Sequence, residues 1–205
     1  MRSKFLLFAF FGALVASASS GFAQAVYTAQ QRHIPIAVGT GMSNFDLDYG
    51  KDSGGERRME GITAWLDWSP PSVPSFLRGV GLEIEGRDIN FGRPSSLYKM
   101  RQDTFAGGVV YNWPRYRVAQ PYFQYLLGMG SIDFPSTNPH YTHDTRAIQA
   151  PGGGLEVRVF RNVKVRGAYE YQFWPHIFGA HTLNPNGFTF GTEYDFRDFR
   201  PRPRF

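Results

Sequence analysis

The chain has 205 residues, no cysteine, a formal net charge of +5, and 17% aromatic residues, with 19 Phe and 11 Tyr among them. Without cysteine there is no disulfide framework, so stability must come from packing and backbone pairing. A slightly negative mean hydropathy excludes a bundle of membrane-spanning helices, each of which needs roughly 20 predominantly apolar residues.

Arg2 and Lys4 precede an apolar run from Phe5 to Val15 and a small-residue stretch from Ala16 to Ala23, with Gly21 and Ala23 spaced for cleavage before Gln24. The run is too short for a spanning helix and predicts a cleaved secretory signal over 1–23. The chain beyond the signal is long enough for one domain, placed at 24–196. The tail over 197–205 carries Arg197, Arg200, Arg202 and Arg204 interleaved with Pro201 and Pro203. On an exported protein that pattern reads as a solvated extension, and no nucleic-acid partner is expected.

Eight strand-like runs divide the domain: Ile34 to Asp48, Met59 to Ser69, Gly79 to Phe91, Gln102 to Trp113, Ala119 to Phe134, Asp144 to Phe160, Val163 to Trp174 and Gly187 to Phe196. Most reach about ten residues, which suits a tilted membrane-spanning strand better than the five or six usual in soluble sheets. The connections alternate in character. Arg161-Asn162, Pro114-Arg115-Tyr116 and Pro70 to Pro74 are short or stiff, whereas Gly50 to Arg58, Gly92 to Arg101, Pro135 to His143 and Pro175 to Asn186 are longer and polar. Outer-membrane barrels have short periplasmic turns and long external loops, and an even strand count returns both ends to the periplasmic side.

Within the strands, charge and bulk alternate with period two, and successive side chains of a strand point to opposite faces. Glu83, Glu85, Arg87, Glu156, Arg158, Lys164, Arg166, Glu170 and Glu193 take one phase. These five acids and four bases nearly balance and predict a network of paired charges in a narrow lumen, because an eight-stranded barrel is just wide enough for its own side chains. The other phase carries Trp68, Tyr111, Trp113, Tyr169, Tyr171, Phe173, Phe188, Phe190, Tyr194 and Phe196, expected to face lipid or to form aromatic girdles at the two interfaces. A soluble lipocalin-like barrel shares this period with its faces exchanged. Small residues in the charged phase, among them Gly39, Gly41, Gly81, Gly128, Gly130, Gly152 and Gly154, fit a crowded lumen better than a solvated surface. The fold class expected is all-β: an eight-stranded antiparallel up-and-down transmembrane β-barrel.

Lys51, Arg57, Arg58, Arg93, Lys99 and Arg101 lie in or beside the first two long loops, where they are candidates to face the phosphates of lipopolysaccharide. His140 and His143 lack a third strong metal ligand placed by the sequence, so they read as a solvated loop and no metal is expected. Gly152-Gly153-Gly154 has no lysine at phosphate-loop spacing and opens no helix pattern. No cofactor is expected.

Gly152 to Arg158, Val165 to Tyr171, the closing run Gly187-Phe188-Thr189-Phe190-Gly191-Thr192-Glu193-Tyr194-Asp195-Phe196 and the signal together carry a likeness. On them the chain resembles the small outer-membrane β-barrel family of the OmpA transmembrane-domain type. The resemblance implies residence in the outer membrane among lipid and lipopolysaccharide, and assembly by the outer-membrane machinery through a terminal aromatic strand, with Phe196 and Phe205 as the candidate signal residues. The role expected is structural or surface-interacting, as a non-enzymatic monomer, with a narrow ion or solute channel as the alternative. Some barrels of this kind modify lipid A. In the deacylase type a histidine is followed two residues on by serine, with a glutamate completing the set. Here His181 is followed by Thr182 and Leu183, so only Thr182 and Glu193 are left to play those parts, and the spacing is wrong.

Overall fold

The computed structural model describes residues 35–48, 58–70, 74–91, 100–113, 118–134, 142–179 and 181–196. The signal over 1–23, the tail over 197–205 and the loop residues Lys51, Arg57, Arg93, Lys99 and His140 lie outside them. Among the described residues ten strands are formed, in chain order β1 (Ile36–Asp46), β2 (Arg58–Trp68), β3 (Val80–Phe91), β4 (Arg101–Asn112), β5 (Ala119–Asp133), β6 (His143–Arg158), β7 (Val163–Tyr171), β8 (Trp174–Ile177), β9 (His181–Leu183) and β10 (Asn186–Asp195). All except β8 and β9 join one closed barrel in which every neighbour is antiparallel and consecutive, with β10 pairing back onto β1. Closure satisfies the backbone groups that an open edge would expose to hydrocarbon.

The faces sort as the chemistry of the two solvents requires. Along β7, Lys164, Arg166 and Glu170 are buried while Tyr169 and Tyr171 are exposed. Exposed apolar side chains circle the outside, including Val38 and Met42 on β1, Ile62 and Leu66 on β2, Ile84 on β3, Phe105 on β4, Leu127 on β5, Leu155 on β6 and Phe190 on β10. Only a lipid environment makes such a continuous apolar exterior favourable. The β6–β7 connection is tight, with the amides of Val159 and Phe160 both donating to the Val163 carbonyl at 3.1 Å.

At the long-loop end the lumen differs from the sequence expectation. Its inward positions there are apolar: Phe45, Leu47, Met59, Ile89, Met100, Ile132, Phe134 and Ile148 pack with Trp174 and Ile177 into one buried cluster. Trp174 belongs not to β7, which ends at Tyr171, but to a small β8–β9 hairpin within the segment read as a polar loop. Pro175 has no N–H to continue a ladder, and left-handed backbone at His176 (φ 60°) and Phe178 (φ 46°) turns the chain over the barrel mouth. Two carboxylates tie the hairpin down. Asp144 Oδ2 accepts from the Phe178 amide at 2.6 Å, and Asp48 Oδ2 accepts from the Asn184 amide at 3.0 Å.

Two glycines make room for indoles inside the barrel. A Cβ on Gly130 would collide with the Trp174 ring, and one on Gly39 with the Trp65 ring. Gly130→Ala is therefore expected to destabilise the folded barrel by about 1–3 kcal/mol through overpacking. Gly86→Ala, whose Cβ meets nothing nearer than Phe105 at 3.9 Å, should have a much smaller effect. Urea titration in detergent micelles, read by heat-modifiable gel mobility, compares the two.

Candidate functional site: the charged lumen and the outer rim

Below the apolar cap the lumen is polar and organised around three cations. Arg87 donates through Nη1 to Glu170 Oε1 at 2.7 Å, through Nη2 to Glu85 Oε1 at 2.6 Å and through Nε to Thr63 Oγ1 at 3.0 Å. Its guanidinium also stacks 4.1 Å from the centroid of Phe45 in the cap. Arg166 donates to Glu83 Oε2 at 2.9 Å, Gln124 Oε1 at 2.6 Å and the Tyr122 hydroxyl at 2.6 Å. Lys164 Nζ contacts Glu156 at 2.8 Å, Glu193 at 3.0 Å and Asp195 at 3.3 Å.

Glutamines connect these centres. The Gln124 side chain accepts from Arg166 and donates to Glu170 at 3.2 Å. Gln172 donates to Glu170 at 2.7 Å, and its carbonyl oxygen accepts from Gln102 at 2.7 Å and from the Trp174 indole at 2.9 Å. The cap and the Arg87 and Arg166 centres thus form one hydrogen-bonded unit, to which β7 supplies Arg166 and Glu170 while giving Lys164 to the neighbouring cluster of Glu156, Glu193 and Asp195.

Of the residues expected in the lumen, Glu83, Glu85, Arg87, Glu156, Lys164, Arg166, Glu170 and Glu193 are all buried there. Arg158 shares their phase but lies partly exposed at the short-turn end, donating to the Arg161 carbonyl at 3.0 Å. Conversely, Asp67 and Asp195 are buried in the lumen. The expected near balance is corrected: seven buried acids, Asp67, Glu83, Glu85, Glu156, Glu170, Glu193 and Asp195, face three buried bases among the described residues. Asp67 escaped the sequence reading because β2 places Trp on both faces and Glu60 opposite to Asp67.

The outward aromatics divide between the ends of the barrel. Tyr111 and Trp113 form an edge contact with centroids 6.1 Å apart at the short-turn end, where Tyr194 also meets Phe196 at 4.8 Å and Trp68 closes β2. Tyr169 and Phe188 pair at 4.9 Å toward the long-loop end, with Tyr171 and Phe173 beyond them. Phe190 is mid-strand, opposite Met42 and Gly167, so it faces the lipid band rather than a girdle.

Outside the barrel, at the long-loop rim, polar groups replace the apolar band. Arg58 donates to Asn44 Oδ1 at 3.0 Å, and Arg101 pairs with Asp103 at 2.9 Å and Asp88 at 3.3 Å. His143, expected in a loop, is the first residue of β6. Its Nδ1 lies 2.6 Å from Asp133 Oδ1 and its Nε2 3.3 Å from the Thr145 hydroxyl, which donates onward to Ser131 at 3.4 Å. The other histidine set considered does not assemble, since His181 is exposed on β9 while Glu193 is buried in the lumen beside Lys164 and Trp65.

Removing a lumen cation leaves its carboxylates buried and unpaired. Arg87→Met is expected to cost about 3–5 kcal/mol, whereas Arg158→Met at the turn should cost several times less. Equilibrium unfolding of both variants in the same micelles provides the comparison.

No curated protein sequence matches the chain. Among solved structures, Neisserial surface protein A is similar at 10% identity over 78% of this chain and 95% of that one, with a TM-score of 0.55. The attachment invasion locus protein Ail of Yersinia pestis matches at 17% identity over 78% and 95%, with a TM-score of 0.47. OprG from Pseudomonas aeruginosa matches at 13% identity over 80% and 97%, with a TM-score of 0.47. The first of these shows a shared fold. The model of the outer membrane protein beta-barrel domain matches residues 11–196. With that match spanning most of the sequence and a closed eight-stranded barrel beneath it, the chain belongs to the outer membrane protein beta-barrel domain family and is a protein of the outer membrane.

Proposed function

We propose that this barrel is a non-conducting, non-enzymatic monomer whose role is structural or surface-interacting, exercised through its outer rim. The observation that carries the reading is the filled mouth. Trp174 and Ile177 of the hairpin pack against eight inward apolar side chains, none more than 5% exposed, above a lumen crossed by hydrogen-bonded charges. An ion entering such a path would lose its hydration without finding replacement ligands in the cap. In planar bilayers the purified protein is expected to show no stable conductance steps, and reproducible ohmic steps would support the channel reading instead.

The rim supports contact with lipopolysaccharide. Arg58 and Arg101 are exposed at the end where apolar exterior gives way to polar side chains, and Lys51, Arg57, Arg93 and Lys99 flank them in sequence. Guanidinium and ammonium groups at this level are natural partners for lipid phosphates. Replacing all six with glutamine should weaken lipopolysaccharide binding to the reconstituted barrel, and unchanged binding would remove the proposal. As a barrel of this kind it is expected to be handed to the outer-membrane assembly machinery, and the aromatic row of β10 running to Phe196 is the feature that supports this.

A second reading, acyl-ester hydrolysis in the outer leaflet, is favoured by the Asp133–His143–Thr145 relay. Asp133 lies against Nδ1 of His143 and the Thr145 hydroxyl 3.3 Å from Nε2, the order a nucleophile requires once the hydroxyl proton turns from Ser131 to the imidazole. Mass spectra of lipid A from cells making the protein discriminate: an acyl chain lost with the natural sequence and retained with His143→Ala favours hydrolysis, and identical spectra favour the structural reading.

A further inference from the structure

Near the short-turn end, Asp67, Glu156 and Glu193 each present a carboxylate oxygen, and these oxygens lie within 4.8 Å of one another. All three side chains are buried, at 1% exposure each. Neither oxygen of Asp67 accepts a hydrogen bond from an N–H or hydroxyl donor, and its carboxyl lies against that of Glu83, so a proton or a cation must bridge it; Glu156 Oε1 lacks a donor too. The nearest cation to Asp67 is Arg166, whose Nη1 lies 3.7 Å from Oδ2. That is beyond hydrogen-bond reach, and the rest of its guanidinium is committed to Glu83, Gln124 and Tyr122. Lys164 holds Glu156 through Oε2 and Glu193 through Oε1, which leaves Glu156 Oε1 on the open side.

Ion pairs do not complete this lumen. Among the described residues it buries seven carboxylates against three bases, and an uncompensated charge removed from water is expensive. Calcium binds oxygen at about 2.3–2.6 Å, so no two ligands of one ion stand more than about 5.2 Å apart, and three carboxylate oxygens within 4.8 Å of one another can share one. We propose that the lumen holds a divalent cation of the oxygen-binding class to which calcium belongs, by the all-carboxylate ligand set, between Asp67, Glu156 and Glu193. The ion reaches the site from the short-turn end, because the apolar cap closes the other. Its role is to neutralise the acids that Lys164 and Arg166 leave over, so the lower half of the barrel is locked by metal as the upper half is locked by Trp174.

The test uses the full mature chain refolded in detergent micelles, with terbium(III) as a luminescent probe and calcium as the competitor. The natural protein should show saturable terbium luminescence excited through its indoles, displaced by calcium, and a urea midpoint raised by calcium relative to chelator. Asp67→Asn should weaken terbium binding at least about tenfold, as loss of even an outer-shell partner does, and Glu156→Gln should do the same and serves if the first variant does not fold. The sign of the stability change separates a cation from a bound proton or water. With a cation, Asp67→Asn destabilises in calcium and is neutral or stabilising in chelator. Equal effects in both conditions, absence of saturable luminescence, or luminescence unaffected by both variants would each overturn the proposal.

Discussion

A charged side chain cannot face hydrocarbon, and a barrel of eight strands offers only one other direction. Ionised groups at the level of the apolar band are therefore packed into a space just wide enough for side chains, where each must find a partner or remain uncompensated at a cost. The rest of the structure obeys that constraint. Arg87 gathers Glu85 and Glu170, Lys164 gathers Glu156, Glu193 and Asp195, and Arg166 holds Glu83, while Gln124 connects the Arg87 and Arg166 centres.

The same constraint accounts for the closed form. A polar lumen open at its long-loop mouth would hydrate from that end, and water would compete with the Arg87 and Glu170 ion pair beneath it. The apolar cap excludes it: Arg87 stacks on Phe45 from below while Trp174 donates its indole N–H into the network. The hairpin that carries Trp174 is held from the rim by Asp144 and Asp48. Local openings of that hairpin are the natural place for any motion that admits solvent, since β8 and β9 pair only with each other in their sheet.

Much of this was legible in the sequence, and the limits have physical reasons. Period two reports which face a residue takes, so the inward set from Glu83 to Glu193 and the outward aromatics could be read from phase alone. Depth along the strand is not encoded in that period. Ile89 shares its phase with Glu83, Glu85 and Arg87 yet belongs to the apolar cap, and Phe45, Met59 and Ile132 are alike in this. The hairpin was missed because a segment with Pro175 and Pro185 reads as loop. Its left-handed turn places Trp174 by tertiary packing, for which Gly130 supplies the space. The charge imbalance was hidden by counting Arg158 and omitting Asp67 and Asp195, which only the positions of the strand ends resolve.

The lumen orientation is the claim on which the rest depends, and the chain's lack of cysteine makes it directly measurable. Single cysteines placed in turn along β10 from Gly187 to Tyr194, spin-labelled in lipid bilayers, report accessibility to oxygen dissolved in the acyl chains. Oxygen accessibility should peak at Phe188, Phe190, Thr192 and Tyr194 and fall at Gly187, Thr189, Gly191 and Glu193. The opposite phase, or no alternation at all, would contradict a barrel with its charges turned inward.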